Sequence, residues 1–126
     1  MKRYLLALCI VMSLSFLCST ASANEIDDSL AKAKKEGKVV MLELGSVGCI
    51  PCEQMRPVMA KLSSTYKGKL EVIFVDVRRD NAAARQFRVY GIPTQVFLDK
   101  KGNEFHRHVG YYDFEQIVPV LKQIGL

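Results

Sequence analysis

One apolar run, Lys38–Leu44 (KVVMLEL), constrains the fold of this chain more than any other feature. The run is rich in β-branched residues, and between Val39 and Leu44 only Glu43 is charged. Such a run is typical of a strand that is buried on both faces of its sheet. Helices must then cover both faces, which predicts an α/β fold.

The rest of the chain divides into alternating helices and strands. Composition and helical spacing predict helices over Asp28–Glu36, from Met55 to Tyr66 (about four turns), Asn81–Val89 and Asp113–Ile124. Apolar patterns predict strands over Lys38–Leu44, Leu70–Val77, Thr94–Leu98 and Glu104–Val109. The first two strands should be parallel because a helix joins them, and the turn DKKGN should join the last two as a hairpin. The predicted fold class is α/β, with a central mixed four-stranded sheet flanked by helices on both faces.

Polar residues at the helix starts are candidate caps. They are Asp27 or Asp28 for the first helix, Asn81 for the third and Asp113 for the last. Gln116 lies three residues after Asp113, which is the spacing of a capping box. Pro119 lies inside the last predicted helix, where it should either kink the helix or move its start forward.

The first 23 residues have the pattern of a secretory signal peptide. Lys2 and Arg3 precede an apolar core of 14 residues, Tyr4–Leu17, and small residues follow at Ala21 and Ala23. A membrane anchor is the alternative, but 14 residues fall short of the roughly 20 that span a bilayer. We expect residues 1–23 to be cleaved and residues 24–126 to form one exported domain. Its location would be periplasmic, or extracellular in a host without an outer membrane.

Cleavage would change the cysteine count and the charge. It removes Cys9 and Cys18 and leaves Cys49 and Cys52 in the sequence GSVGCIPC. A purely structural disulfide is disfavoured, because a crosslink that closes so short a loop adds little stability. The exported part would carry 16 basic and 13 acidic residues, a net charge of +3 that is too small to imply a nucleic-acid partner.

The position of the cysteine pair favours redox chemistry. Cys49 follows a buried strand and begins a helix, where free N–H groups and a partial positive charge stabilise a thiolate. Thiolates are the nucleophiles of disulfide exchange, and Cys-x-x-Cys pairs in such places titrate at about 3.5 to 7 rather than about 8.5. We expect Cys49 to be the exposed attacking cysteine, and Cys52, one helical turn further on, to be the buried resolving one.

Other uses of the pair can be weighed. Haem attachment needs histidine directly after the second cysteine, where this chain has Glu53. Tetrahedral zinc needs four ligands, and only His106 and His108 could add to the pair; we expect these two to lie on a solvated strand face. A two-sulfur Cu(I) site stays open, because thiolates select that ion. We expect no resident metal and no cofactor beyond the dithiol.

Two motifs identify a resemblance. The pair CIPC with Pro57 five residues later, and YGIPT at Tyr90–Thr94, resemble thioredoxin. The likeness covers nearly all of residues 24–126 and lacks only the first thioredoxin strand. It implies a thioredoxin-like fold with a cis peptide at Ile92–Pro93, beside the two sulfurs, that offers backbone to an incoming peptide. It also implies that Gly110 lies near that surface.

The resemblance gives Glu43 a role. This residue matches the buried acid below the thioredoxin active site, and a buried carboxyl with a raised pKa can accept the proton of Cys52. The alternative is that Glu43 reaches solvent at the end of its strand.

Three positions depart from thioredoxin. Gly48 replaces the tryptophan before the first cysteine, Ile50 replaces the central glycine, and Phe74 replaces a lysine near the buried acid. Gly48 should leave the attacking sulfur open, and Ile50 should add an apolar patch for a partner. The expected substrate-binding residues are Gly48, Ile50, Pro51, Ile92, Pro93 and Gly110.

The sequence is also similar to periplasmic thioredoxins and to the C-terminal domain of the thiol:disulfide interchange reductase. That similarity implies a monomeric thiol–disulfide oxidoreductase that takes electrons from a membrane thiol–disulfide reductase. It would reduce disulfide-bearing exported proteins, including isomerases or substrates of cytochrome c maturation. A disulfide oxidase or isomerase, a Cu(I) metallochaperone and a redox-silent binding module are the alternatives.

Four basic residues are expected to form a solvated face, with a partner surface as the alternative: Arg78, Arg79, Arg85 and Arg88.

Overall fold

The structure is a computed structural model that describes residues 21–126, with side chains from residue 25 onward. Its helices are α1 (Ala21–Lys35), α2 (Ile50–Thr65), α3 (Asn81–Gln86) and α4 (Phe114–Gln123). Its strands are β1 (Val39–Gly45), β2 (Leu70–Asp76), β3 (Thr94–Leu98) and β4 (Glu104–Val109). The predicted order of elements is confirmed, and every strand lies within one residue of its predicted bounds.

Most of the predicted signal peptide lies outside the described residues. This includes its basic start and its apolar core. Ala21 and Ala23 lie in the first turns of α1, so the predicted cleavage point falls within that helix. Within residues 21–126, none of the helices is both long enough and apolar enough to cross a bilayer.

The four strands form one mixed sheet in the order β2-β1-β3-β4. β1 pairs with β2 in parallel and with β3 antiparallel, and β3 pairs antiparallel with β4. β1, β2 and β4 therefore end at the edge of the sheet where β3 begins. The loops that follow β1 and β4 thus meet the segment that precedes β3, and this edge carries the cysteine pair.

Helices pack on both faces of the sheet, as predicted. β1 is buried along its whole length, and its side chains alternate between the two faces. On one face Val39 and Met41 join a core with residues of α2 and α4. On the other face Val40 and Leu42 join a second core with residues of α1 and α3. The continuous apolar pattern of β1 follows from this double burial.

The predicted start of the first helix is wrong. α1 begins at Ala21, so Asp27 and Asp28 lie inside it rather than at its cap. Alanine is the strongest helix former, and the residues that precede Asp27 contain no Gly or Pro that would stop a helix. The Asp27 carboxylate instead accepts a hydrogen bond from the side-chain amide of Gln86 on α3, at 3.2 Å.

The third helix is shorter than predicted and has a different cap. Asp80, not Asn81, is the N-cap, and its carboxylate accepts a hydrogen bond from the Ala83 N–H at 2.9 Å. The helix ends at Gln86 rather than Val89. Arg88 has a φ of 51°, in the left-handed region that a right-handed helix cannot continue through.

The last helix begins as predicted. The Asp113 carboxylate accepts from the Gln116 N–H at 2.8 Å, and the Gln116 side chain accepts from the Asp113 N–H at 3.2 Å. These two bonds form the predicted capping box. Pro119 lies inside α4, which begins at Phe114. The prediction that Pro119 moves the start of the helix forward is therefore wrong.

Candidate active site

The two cysteines are joined as a disulfide at the start of α2. Cys49 is the N-cap of the helix, and its Cα lies 5.2 Å from that of Cys52. Cys49 is partly exposed, whereas Cys52 is only 2% exposed. The predicted difference in exposure is confirmed: solvent reaches the first cysteine and not the second.

The helix start is suited to holding a thiolate. An N-cap side chain normally accepts a hydrogen bond from the N–H of the second or third helical residue. Here the second is Pro51, which has no N–H, and the third is Cys52. When the disulfide is reduced, the Cys52 N–H is therefore the donor at the position where a Cys49 thiolate would accept. The partial positive charge of the helix start adds to this stabilisation.

A glycine at the end of β1 lets the disulfide approach the sheet. A Cβ atom at Gly45 would lie 3.1 Å from the Cys52 Sγ and 3.4 Å from an edge carbon of the Phe74 ring. Any larger residue would therefore press on the resolving sulfur. The sequence reasoning missed Gly45; the signal was a glycine directly after the apolar run.

Asp76 holds the loop that leads to Cys49. Its carboxylate, at the end of β2, accepts hydrogen bonds from the N–H groups of Val47 at 3.3 Å and Arg78 at 3.1 Å. Partial burial opposes the charged form, but these bonds outweigh it, and the pKa of Asp76 is lowered. The next residue of the loop, Gly48, has a φ of 80° and donates to the Glu53 carboxylate at 3.4 Å. Asp76 was also missed by the sequence reasoning, because its partner Val47 lies on another loop, 29 residues earlier in the chain.

Glu43 is fully buried on the face of the sheet that bears the disulfide. Its exposure is 0%, so the alternative that it reaches solvent is wrong. It lies on the same face as Gly45, two residues before it, and therefore on the side where Cys52 packs. Burial raises the pKa of Glu43 to about 7, against a smaller lowering by a hydrogen bond from Gln95.

Gln95 is a buried polar residue that the sequence reasoning missed. It lies opposite Glu43 in the register of β1 and β3, and it is also 0% exposed. Its side-chain Nε2 lies 3.4 Å from the Glu43 Oε1 and 3.1 Å from the Gly110 carbonyl oxygen. A glutamine in the otherwise apolar part of the strand directly after Ile-Pro-Thr was the available signal.

The peptide bond between Ile92 and Pro93 is cis, as the resemblance predicts. The carbonyl of Pro93 accepts a hydrogen bond from the Gly110 N–H at 2.8 Å, and the Thr94 hydroxyl donates to the Gly91 carbonyl at 2.6 Å. These bonds fix the segment before β3 against the end of β4. They also bring Pro93 and Gly110 together, as expected.

The expected substrate-binding residues lie at the same edge of the sheet. Gly48 and Ile50 are exposed, Pro51 and Ile92 are half-buried and Pro93 is buried. Large apolar side chains are exposed there as well: among the described residues they are Val47, Ile50, Phe74, Tyr90, Val109 and Tyr111. Ile50 is 75% and Tyr90 94% exposed. A surface of this kind is suited to contact with another polypeptide.

The two histidines are only partly exposed to solvent, so the prediction of a solvated strand face holds in part. His106 and His108 are half-buried and both stack on Tyr112, with ring centroids 5.9 and 4.0 Å apart. Burial lowers the pKa of His106, and the charge of His108 lowers it further. In the part of the chain that the structure describes, no three His, Cys, Asp or Glu residues are grouped so as to hold a metal ion.

The four basic residues of the predicted solvated face are exposed, as expected: Arg78, Arg79, Arg85 and Arg88.

Comparison with known proteins agrees with the geometry. Residues 26–125 match the family model of the thioredoxin-like domain. The chain belongs to the thioredoxin-like family. A thioredoxin of Staphylococcus aureus is 28% identical over 97 residues, which are 77% of this chain and 92% of that protein.

Solved thioredoxins have the same fold as this thioredoxin-like chain. A thioredoxin from Nicotiana alata superposes with a TM-score of 0.69 at 29% identity, over 80% of this chain and 86% of that one. A poplar thioredoxin h superposes with a TM-score of 0.72 at 22% identity, over 85% and 95% of the two chains. A thioredoxin-like domain with a Cys-x-x-Cys disulfide at a helix start is a thiol–disulfide oxidoreductase.

Proposed function

We propose that this protein works in the reducing direction on disulfides of exported proteins. The observation that carries the proposal is the buried Glu43, on the face of the sheet where Cys52 packs and below the accessible Cys49. A dithiol that reduces a substrate must lose the proton of its buried cysteine during the reaction. Glu43 is an acceptor for that proton, with a pKa of about 7.

The first step is attack by Cys49. Its thiolate attacks one sulfur of the substrate disulfide, so that an S–S bond forms between Cys49 and the substrate while the substrate's own S–S bond breaks. The departing substrate sulfur leaves as a thiolate and takes a proton from water. The start of α2 supplies the positive potential that keeps Cys49 ionised before the attack.

The second step is release by Cys52. The Glu43 carboxylate takes the proton of the Cys52 thiol, and the resulting thiolate attacks the Cys49 sulfur of the mixed disulfide. The Cys49–Cys52 disulfide forms, and the second substrate sulfur leaves as a thiolate that takes a proton. The substrate has then gained the two electrons of the dithiol and two protons from water, while the proton that Cys52 carried passes through Glu43 to solvent.

The exposed edge around Cys49 is the proposed substrate surface. Gly48 has no side chain to cover the attacking sulfur, and the exposed Ile50 and Tyr90 offer apolar contact. The Ile92–Pro93 segment supplies backbone beside this surface, and Gly110 fixes its position. A substrate chain would be held in an extended form across this edge. We propose that the protein acts as a monomer, without a cofactor other than its dithiol.

Residues 1–23 support a location outside the cytoplasm. Their basic start, apolar core and small residues at the predicted cleavage point are the pattern of an export signal. In the periplasm the oxidised dithiol would need an electron source, and a membrane thiol–disulfide reductase is the proposed donor. The proposed substrates include isomerases and proteins of cytochrome c maturation.

Trapping variants test the chemistry. Cys52→Ser should accumulate mixed disulfides between Cys49 and exported proteins, because attack proceeds and release does not. Cys49→Ser is the matched control and should trap few, because the remaining cysteine is buried. Non-reducing electrophoresis followed by mass spectrometry measures both. Equal trapping by the two variants would contradict the assigned roles.

The export part of the proposal has its own test. Protein recovered from the periplasm should begin at Asn24, and N-terminal sequencing determines this directly. Recovery of the chain only from the cytoplasm, still beginning at Met1, would contradict export. That result would leave the redox chemistry of the Cys49–Cys52 pair unaffected.

A further inference from the structure

The buried Glu43 lies beside a buried amide side chain. Gln95 lies opposite it across β1 and β3, and neither residue is exposed to solvent. Burial of an amide costs free energy unless its hydrogen bonds are made. Most of β3 is apolar, so a glutamine at this position requires an explanation that packing alone does not provide.

The amide nitrogen of Gln95 bridges two groups of the site. It has two hydrogens, and it lies 3.4 Å from the Glu43 Oε1 and 3.1 Å from the Gly110 carbonyl oxygen. Gly110 in turn donates from its N–H to the Pro93 carbonyl at 2.8 Å. A continuous set of hydrogen bonds thus runs from the buried acid through Gln95 and Gly110 to the cis-proline segment before β3.

The other oxygens of the pair are unpartnered. The Glu43 Oε2 and the Gln95 Oε1 are buried and accept no hydrogen bond from the described part of the chain. A buried acceptor without a donor is unfavourable by about 1–3 kcal/mol. One oxygen of Glu43 is therefore held by the amide, while the other is left to take a proton.

We propose that Gln95 is a positioning residue for the redox reaction: it orients the Glu43 carboxyl toward Cys52 and ties it to the Pro93 segment. The inference rests on the proposed role of Glu43 as proton acceptor. Gln95 does not touch the reacting sulfurs. It acts by fixing which oxygen of Glu43 is free and how readily that oxygen takes a proton.

Few other titratable groups share this face of the sheet. Cys52 of α2 lies on this face. His106 and His108 of β4 lie there too, stacked on Tyr112 in the segment after β4. β2 places the apolar Phe74 opposite Glu43, and the buried residues of α4 are apolar. Within the part of the chain that the structure describes, the hydrogen bond from Gln95 is thus the contact that favours the ionised form of Glu43.

Gln95→Leu tests the inference because it keeps a similar volume and removes the amide. The loss of a donor to the carboxylate should raise the pKa of Glu43. The pH at which the rate of the release step inflects should therefore rise by about one unit. At pH 7 the release of substrate from Cys49 should then slow about fivefold, since a smaller share of Glu43 is ionised. The rate of the first attack by Cys49 should stay unchanged. Single-turnover kinetics from pH 5 to 9 and NMR titration of the Glu43 carboxyl measure these effects.

Controls separate positioning from loss of structure. Gln54→Leu makes the same change at an exposed position of α2 and should leave the pH profile as it is. In a Glu43→Gln background, Gln95→Leu should have no further effect on the inflection. If Gln95→Leu does not fold, Gln95→Met removes the same amide with a more adaptable side chain.

A folded Gln95 variant with an unchanged inflection would overturn the inference. Trapping by Cys52→Ser would still proceed in that case, so the proposed function would stand. If the wild type itself shows no inflection near pH 7, the role of Glu43 fails and the inference fails with it.

Discussion

Glu43 illustrates how a single residue links stability to chemistry. Its carboxyl is buried in a strand that is otherwise apolar, and burial raises its pKa from 4.5 to about 7. The same burial that makes the group a proton acceptor near neutral pH makes its ionised form unfavourable in the folded protein. Reactivity at this position therefore costs stability.

The stability of the oxidised protein should fall as the pH rises from about 4.5 to about 7. In that interval the folded state binds the proton of Glu43 and the unfolded state does not, so each step up in pH favours unfolding. The total loss is about 3 kcal/mol at most. Glu43→Gln should remove this slope and be the more stable form at pH 8. Urea unfolding at several pH values measures both proteins; parallel pH dependences would refute the assignment.

Gly45→Ala should lower the stability of the oxidised form by about 1–3 kcal/mol. The added methyl would lie 3.1 Å from the Cys52 Sγ, which the disulfide prevents from moving freely. Gly91→Ala is the control, since its methyl would lie 3.4 Å from a Val109 methyl, an ordinary contact. Thermal unfolding compares the three proteins. An equal effect of the two substitutions would show that the contact with Cys52 is unimportant.

At the scale of helices and strands, prediction succeeded where the signal is local. The strands were found within one residue, because apolar runs and turn residues define them. Asp113 and Gln116 were identified from a spacing of three residues. The predicted cap of α3 was wrong because two neighbouring polar residues could both serve as its N-cap. The predicted start of α1 was wrong because the residues before the expected cap also form helix, so that the polar residues lie inside it.

The residues of the site were also predicted only where the sequence signal is local. Cys49, Cys52 and Pro93 belong to short motifs, and Glu43 is conspicuous in an apolar strand. Gln95 was missed because its partner lies 52 residues away and is defined only by the register of β1 and β3. Asp76 was missed likewise, since it acts on a loop 29 residues earlier in the chain.

The capping box should contribute measurably to the stability of α4. Asp113→Ala removes the acceptor of the Gln116 N–H and should lower the free energy of unfolding by about 1 kcal/mol. Asp113→Asn keeps a side-chain acceptor and should cost a few tenths of a kcal/mol at most. Denaturant unfolding distinguishes the two variants. Similar losses would mean that the charge matters there and the hydrogen bond does not.

At the scale of the whole molecule, the topology gathers the site at one edge. The cysteines follow β1, the cis proline precedes β3 and Gly110 follows β4, so three separate segments meet there. The buried acid lies behind them, on the face that α2 and α4 cover. The accessible sulfur therefore lies at the edge of the sheet that carries the exposed apolar side chains, while the proton acceptor stays out of solvent.

The reduction potential of the Cys49–Cys52 pair tests the proposed direction most directly. The measurement equilibrates the domain in thiol buffers of known composition and determines the fraction oxidised. We predict a value near or below about −230 mV, as expected of a protein that passes electrons to substrate disulfides. A value near about −120 mV would mean that the protein forms disulfides, and the proposed reducing function would be wrong.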